Sequence, residues 1–286
     1  MLNNKLKKGA LEIHRKETEA YNASCSLMTK ECDTLYNVRR SSIYLIETIE
    51  RVVNSIAKTP KEFSIKFGEI HNEISEFRST EEYATEAYDN AVKEGINIGA
   101  VASMGVGVAA MAPSALMSVA TTFGTASTGT AISALSGAAA QKAAVAWIGR
   151  TFAGFMVKSG AGLAVGNAFL ALIGPIGWGL TAVSTSYSLL SVASKNKKIA
   201  NEAIDEAKEI RKMRESFDEI TEKIKDLKRR TAILRDDLRS QKERIISFTN
   251  ADYSQLAEED RDFLVAMVEN TYSLSALLNE SVAAEE

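Results

Sequence analysis

The chain has 286 residues, 25% charged and 45% hydrophobic, with a formal net charge of −3. That balance gives no electrostatic footprint for nucleic acid, and no basic stripe with interleaved aromatics is present. Bulk composition conceals a segregation. Residues 95–194 hold no Asp or Glu, only three basic residues (Lys142, Arg150, Lys158) and fifteen of the seventeen glycines. The rest of the chain carries 68 of the 71 charged side chains.

The N-terminus is basic, but no apolar signal-peptide core follows it, so classical secretion is not expected and a cytoplasmic protein is. Residues 4–57 read as one long helix. Tyr21, Cys25, Met28, Cys32, Leu35, Val38, Leu45, Ile49, Val52 and Ile56 recur by threes and fours along one stripe, with Arg and Glu on the rest. Such a helix would run about 80 Å. Cys25 and Cys32 share its face but lie too far apart along the axis to bridge, which predicts reduced packing thiols. Thr59 and Pro60 stop the helix, because proline disfavours helical geometry in the residue before it. Phe63, Phe67, Ile70, Ile74 and Phe77 fit a second helical stripe. Ser79 to Glu82 has the form of a capping box, which predicts a new helix leading into the hydrophobic block.

Two windows of that block, Gly95–Gln141 and Ser159–Ser194, are free of charge over 47 and 36 residues. About 20 apolar residues suffice to cross the hydrocarbon core as a helix. The most apolar span, Gly162 to Ala182, holds Phe169, Leu170, Ile173 and five other large aliphatic residues; on an insertion scale these eight sum to roughly −4 kcal/mol. Small residues repeat every fourth position at Gly129, Ser133 and Gly137, and Gly95/Gly99 and Gly162/Gly166 form GxxxG pairs. Such rows let two helix backbones approach closely. Trp147 and Trp178 suit anchoring at headgroup level or burial in a core. Lys142, Arg150 and Lys158 spread over about 160° of a helix, too wide for a narrow pore face, and suit an interfacial segment with snorkelling stems.

From Lys195 to 248 a second arm keeps a heptad rhythm through Ile210, Met213, Phe217, Ile220, Ile224, Leu227, Thr231, Leu234, Leu238 and Ile245, interrupted by Gln241. It matches the first arm in length, so the two are expected to lie side by side. Asn250 to Ser254 breaks the helix, and a shorter one follows with Phe263, Leu264, Met267, Leu274, Leu277 and Leu278 as its apolar side.

Chemistry-bearing constellations are missing from the sequence. His14 and His71 have no Cys/His neighbours at metal-ligand spacing. No nucleophile elbow occurs. Gly124 to Thr130 imitates half a phosphate loop without its lysine. The expectation is a protein with no catalytic residues, no metal and no cofactor.

The run Phe123 to Ile132 (FGTASTGTAI), then Leu135 to Ala140, resembles the hallmark of a widespread, poorly characterised bacterial family whose members share a Gly/Ala-rich hydrophobic centre between charged helical arms. Ala146 to Gly149, Gly174-Pro175 and Asp252 to Ser254 are similar as well, so the resemblance covers roughly residues 80–280. After Gly149 the family continues with a glycine run, whereas Arg150, Lys158 and several aromatics stand here. The resemblance implies this layout and no particular activity. The layout is also similar to α-helical pore-forming toxins of the cytolysin A and haemolysin BL type, by architecture and not by motif.

Together these readings predict an all-α, elongated bundle of long amphipathic helices with a central hydrophobic Gly/Ala-rich hairpin region. Residues 1–94 form an N-terminal arm, 95–194 a membrane-active region, and 195–286 a coiled-coil arm with a short terminal helix. The expected partners are a lipid bilayer, further copies of the chain and a protein bound through the coiled-coil arms, with no nucleic acid. The expected function is conditional membrane insertion or remodelling by a protein that is cytoplasmic until its hydrophobic region is released. The alternative is a soluble coiled-coil scaffold with a Gly/Ala-packed core, and a permanent integral membrane protein is a third reading.

Overall fold

The computed structural model describes residues 3–93, 118, 121, 122 and 192–282. The fold is all-α. Among the described residues there are five α-helices: α1 (Asn4–Ser55), α2 (Lys61–Lys93), α3 (Val192–Ser240), α4 (Lys242–Ile246) and α5 (Glu258–Asn279). A 3-10 turn, Tyr253–Gln255, precedes α5, and no strand is present among the described residues. The chain divides into two compact units. One comprises Met1–Lys30, Asp89–Ala112 and Leu135–Glu222; the other comprises Glu31–Tyr88, Pro113–Ala134 and Lys223–Glu286.

Seven-residue periodicity builds the two long helices. Along α1 and one step past its end, His14, Tyr21, Met28, Leu35, Ser42, Ile49 and Ile56 are all buried. Along α3 and α4 the same spacing buries Ala203, Ile210, Phe217, Ile224, Thr231, Leu238 and Ile245. A strict heptad under-winds a helix to 3.5 residues per turn and keeps one seam facing its partner, the coiled-coil condition.

In the first unit, the initial turns of α1 and α3 run parallel. Ala10 packs on Ala200 and Ala203, Glu17 pairs with Arg211 at 2.6 Å, and Tyr21 meets Phe217 edge-to-face with centroids 5.4 Å apart. Buried alanines let the backbones come close, and the aromatic pair, worth about 0.5–1.5 kcal/mol beyond its area, closes the wider end.

In the second unit, α1 and α2 are antiparallel. Glu47 binds Arg78 at 2.6 Å and Glu50 binds His71 at 3.0 Å, while Tyr36 stacks on Phe77. The C-terminal part of α3 runs parallel to α1, with Glu31 paired to Lys228 and Arg235 Nη1 donating to Ser41 Oγ at 3.0 Å. Helix α5 follows α2, through Lys66 to Glu269 at 2.9 Å and Asn279 Nδ2 to the Glu73 carbonyl at 2.8 Å. This is an up-down-up-down four-helix bundle. Its core joins Tyr36, Ile46, Ile49 and Val53 to Phe67, Ile70, Phe77, Leu238, Leu264 and Leu274.

The two connectors of this bundle clasp each other. After α1 the chain turns through Lys58 in left-handed geometry (φ 57°), and after α4 through Asn250 (φ 60°). Ala57 N–H donates to the Ala251 carbonyl at 2.8 Å, and Tyr253 N–H donates to Ala57 at 2.9 Å. Lys58 Nζ reaches Asp252 Oδ2 at 2.7 Å. Asp252 also accepts from Ser254 N–H at 3.0 Å, capping the 3-10 turn.

Two sequence expectations are corrected. The Ser79–Glu82 capping box starts no helix, because α2 is continuous across it; buried Thr80 gives its hydroxyl to the Glu76 carbonyl at 3.1 Å, back along the helix. Residues 195–248 are not one helix. The chain breaks at Gln241 (φ −94°, ψ 2°), although Ile245 N–H still reaches the Gln241 carbonyl at 3.1 Å and the seam keeps its phase. The side chains of Cys25 and Met213 lie outside those described.

The Lys58 and Ser254 hydrogen bonds hold the Asp252 carboxyl down at about 2, below its ordinary 3.8. A lowered folded-state value contributes stability that is present above pH ~4 and lost as pH falls toward ~2. Asp252→Asn should therefore unfold earlier than wild type in urea at neutral pH. The difference should shrink to nothing as the titration is repeated at pH values descending to about 2; a gap that persists there would reject the ion-pair account.

Candidate functional site

Every residue singled out in the hydrophobic block lies outside the described residues: Gly95, Gly99, Gly129, Ser133, Gly137, Lys142, Trp147, Arg150, Lys158, Gly162, Gly166, Phe169, Leu170, Ile173 and Trp178. Besides Val192–Ser194, which open α3, three other members of the uncharged stretch are described. Ser118, Thr121 and Thr122 are helical and buried. They lead to a site that the sequence reading placed on the solvated face of α1.

That site is Arg39, whose side chain is fully buried. It occupies the register of Cys32, Ile46 and Val53, seven residues from one neighbour to the next, all buried. The only sequence signal was an arginine standing in an apolar heptad phase. Its Nε donates to the Leu277 carbonyl at 3.0 Å and its Nη2 to the Glu280 carbonyl at 2.6 Å, both at the C-terminal end of α5. Its Nη1 donates to the Thr121 carbonyl at 2.7 Å.

A cation without water needs donors matched to acceptors, and the guanidinium fork supplies them in three directions. The last turn of a helix presents carbonyls with no partner of their own and the negative end of the macrodipole, so α5 offers the complement of a buried cation. Burial pulls Arg39 down to about 10 against the favourable field of Glu280, which leaves it charged at neutral pH. The Glu280 carboxylate is in turn held by Arg230.

Around this anchor the contacts continue. Val282 N–H donates to the Thr122 carbonyl at 3.2 Å, and Thr122 Oγ1 donates to the Ser118 carbonyl at 2.6 Å. Cys32 lies close to Thr122, and burial pushes its thiol up to about 12 although the neighbouring hydroxyl acts the other way. It is therefore protonated near neutral pH and is not an activated nucleophile. The arrangement is suited to holding one segment of chain against another.

A second concavity, about 430 Å³, lies between α1 and α2 and is lined by Glu47, His71, Ser75, Arg78, Ser79 and Glu82. The pairing of Glu47 with Arg78 already satisfies its strongest charges. Among the described residues no group of three His, Cys, Asp or Glu is placed to hold a metal ion. Also among the described residues, no helix is long and apolar enough to cross a membrane.

The class defined by these observations is an all-α protein in which a buried arginine ties a charged helical bundle to part of an uncharged stretch. No protein-family model, curated protein or solved structure matches the chain.

Replacing Arg39 by Met removes the guanidinium donor from three carbonyls, one buried and two part-buried. Each unsatisfied group costs about 1–3 kcal/mol, so a loss of at least about 2 kcal/mol is expected in urea unfolding. Hydrogen exchange at the Val282 amide should accelerate in the same variant. Unchanged exchange there would separate Arg39 from the Thr122 contact.

Proposed function

We propose that the protein acts on membranes, inserting or remodelling with its uncharged residues 95–194 once the charged helical arms let go of them. Sequence segregation supports the reading: a hundred residues with three charges need either a protein partner or lipid to cover them. The observation that carries it is the Arg39 anchor, whose Nη1 donates to the Thr121 carbonyl of that stretch at 2.7 Å. The energetic basis is a bistable element, with the apolar surface satisfied by the arms in one state and by lipid in the other. In this reading the protein is cytoplasmic while closed and membrane-associated when active, assembles with further copies in the bilayer, and does no catalysis. Pore formation of the helical-toxin kind, or a defence effector, fits this behaviour.

The unbroken heptads of α1 and α3 favour a second reading, a scaffold whose coiled-coil arms recruit a protein partner. A monodisperse, detergent-independent particle with a protease-resistant centre supports that reading.

Dye release from liposomes decides between them. Wild-type protein should release trapped dye under some combination of pH and lipid, and Arg39→Met should do so several-fold faster because its closed state is weakened. No leakage and no vesicle binding under any condition removes the membrane reading.

A further inference from the structure

The N-terminal part of α1 has a second face that its seam does not use. Leu6, Ile13 and Leu27 are 47%, 45% and 41% exposed. With Ala20 they stand seven residues apart, so the row drifts only about 20° per step and forms one ridge about 32 Å long. Lys5, Lys16 and Lys30 are exposed on the side of the helix next to it.

Charge is unevenly placed here. Residues 1–30 carry six Lys or Arg against three Glu, a net +3 in a chain whose total is −3. The three glutamates are all paired: Glu12 and Glu19 with Arg15, each at 2.7 Å, Glu12 also with Lys16 at 3.8 Å, and Glu17 with Arg211 at 2.6 Å. The segment that carries the ridge thus keeps a positive excess.

We infer that this ridge is a docking surface for an anionic lipid bilayer, with Leu6, Ile13 and Leu27 entering the headgroup boundary while the flanking lysines meet lipid phosphates. The inference rests on the membrane reading above and supplies its first step, adsorption before release of the uncharged stretch. A second copy of the chain fits the ridge less well. A coiled-coil seam needs apolar residues at two positions per heptad, and the partner positions here are Gly9, Lys16, Ala23 and Lys30. Opposed lysines destabilise such a seam, whereas lysine stems snorkel readily at an anionic interface. Polybasic segments gain affinity from each lysine near such a surface and lose it within a Debye length as salt rises.

Flotation of the full chain with phosphatidylcholine vesicles, with and without phosphatidylglycerol, tests the inference. Wild type should float with the anionic vesicles and detach in high salt. Leu6→Ser/Ile13→Ser/Leu27→Ser and, separately, Lys5→Glu/Lys16→Glu should each weaken binding about tenfold or more. Because these side chains are exposed, far-UV circular dichroism and thermal unfolding should match wild type. Binding that ignores phosphatidylglycerol, or variants that float like wild type, overturns the inference. So does a triple variant that turns a dimer into a monomer without changing flotation. Dye leakage that persists in these variants leaves the membrane reading standing without this face, whereas absence of both binding and leakage in wild type removes the two together.

Discussion

Parallel pairing of α1 with α3 is the constraint on which the other helices depend. Two parallel helices of one chain cannot be joined by a tight turn; something must run back along them. In the four-helix unit α2 supplies that return, antiparallel to α1, and α5 fills the remaining side. Heptad spacing makes the pairing specific in register as well as direction. Glu17 meets Arg211 in the first unit and Ser41 meets Arg235 in the second; each pair is separated by 194 residues, as are Lys58 and Asp252 in the connectors. A slip of one residue in either helix would rotate its seam by about 100° and carry Tyr21 or Phe217 away from the contact.

Into this seam α1 brings one charge. Arg39 is surrounded by Cys32, Ile46 and Val53 in sequence phase, and it is tolerable only because α5 ends beside it. The cation and the helix terminus thus depend on each other: without α5 the guanidinium has no acceptors, and without Arg39 the last carbonyls of α5 have no donor there. The third donor bond, to Thr121, brings the uncharged stretch into the same network. Nothing apolar could do this, because apolar contact has no direction. An arginine fork does, and buried polar links are valued for specifying one arrangement over its neighbours.

Much of the helical fold was legible because periodicity is a local, repeated signal. The stop at Pro60, the continuity of Phe63 to Phe77 and the separate last helix all follow from spacing and backbone sterics. The misread places share a cause: a short motif was weighed without its surroundings. Ser79 to Glu82 has a capping box's letters, but Ile74 and Phe77 are buried on the helix that continues through it, and packing outweighs a cap worth about 1 kcal/mol. Gln241 was read as a gap in the seam, whereas it is a break in the helix that leaves the seam's phase intact. Arg39 was hidden for a different reason. Its acceptors come from residues 121, 277 and 280, and no spacing along α1 reports a helix end more than two hundred residues away. The glycine rows and tryptophans of the hydrophobic block were legible as a pattern, and they lie outside the described residues.

The sealed environment of Cys32 gives the molecule its own clock. It lies in the same buried surroundings as Thr122 and Arg39, with no exposed surface. An alkylating reagent in solvent can meet that thiol only while the neighbouring backbone has moved aside, so the labelling rate in a Cys25→Ser background counts such openings directly. A natural cysteine thereby reports, without any introduced probe, how often the packing around Arg39 and Thr122 opens to solvent.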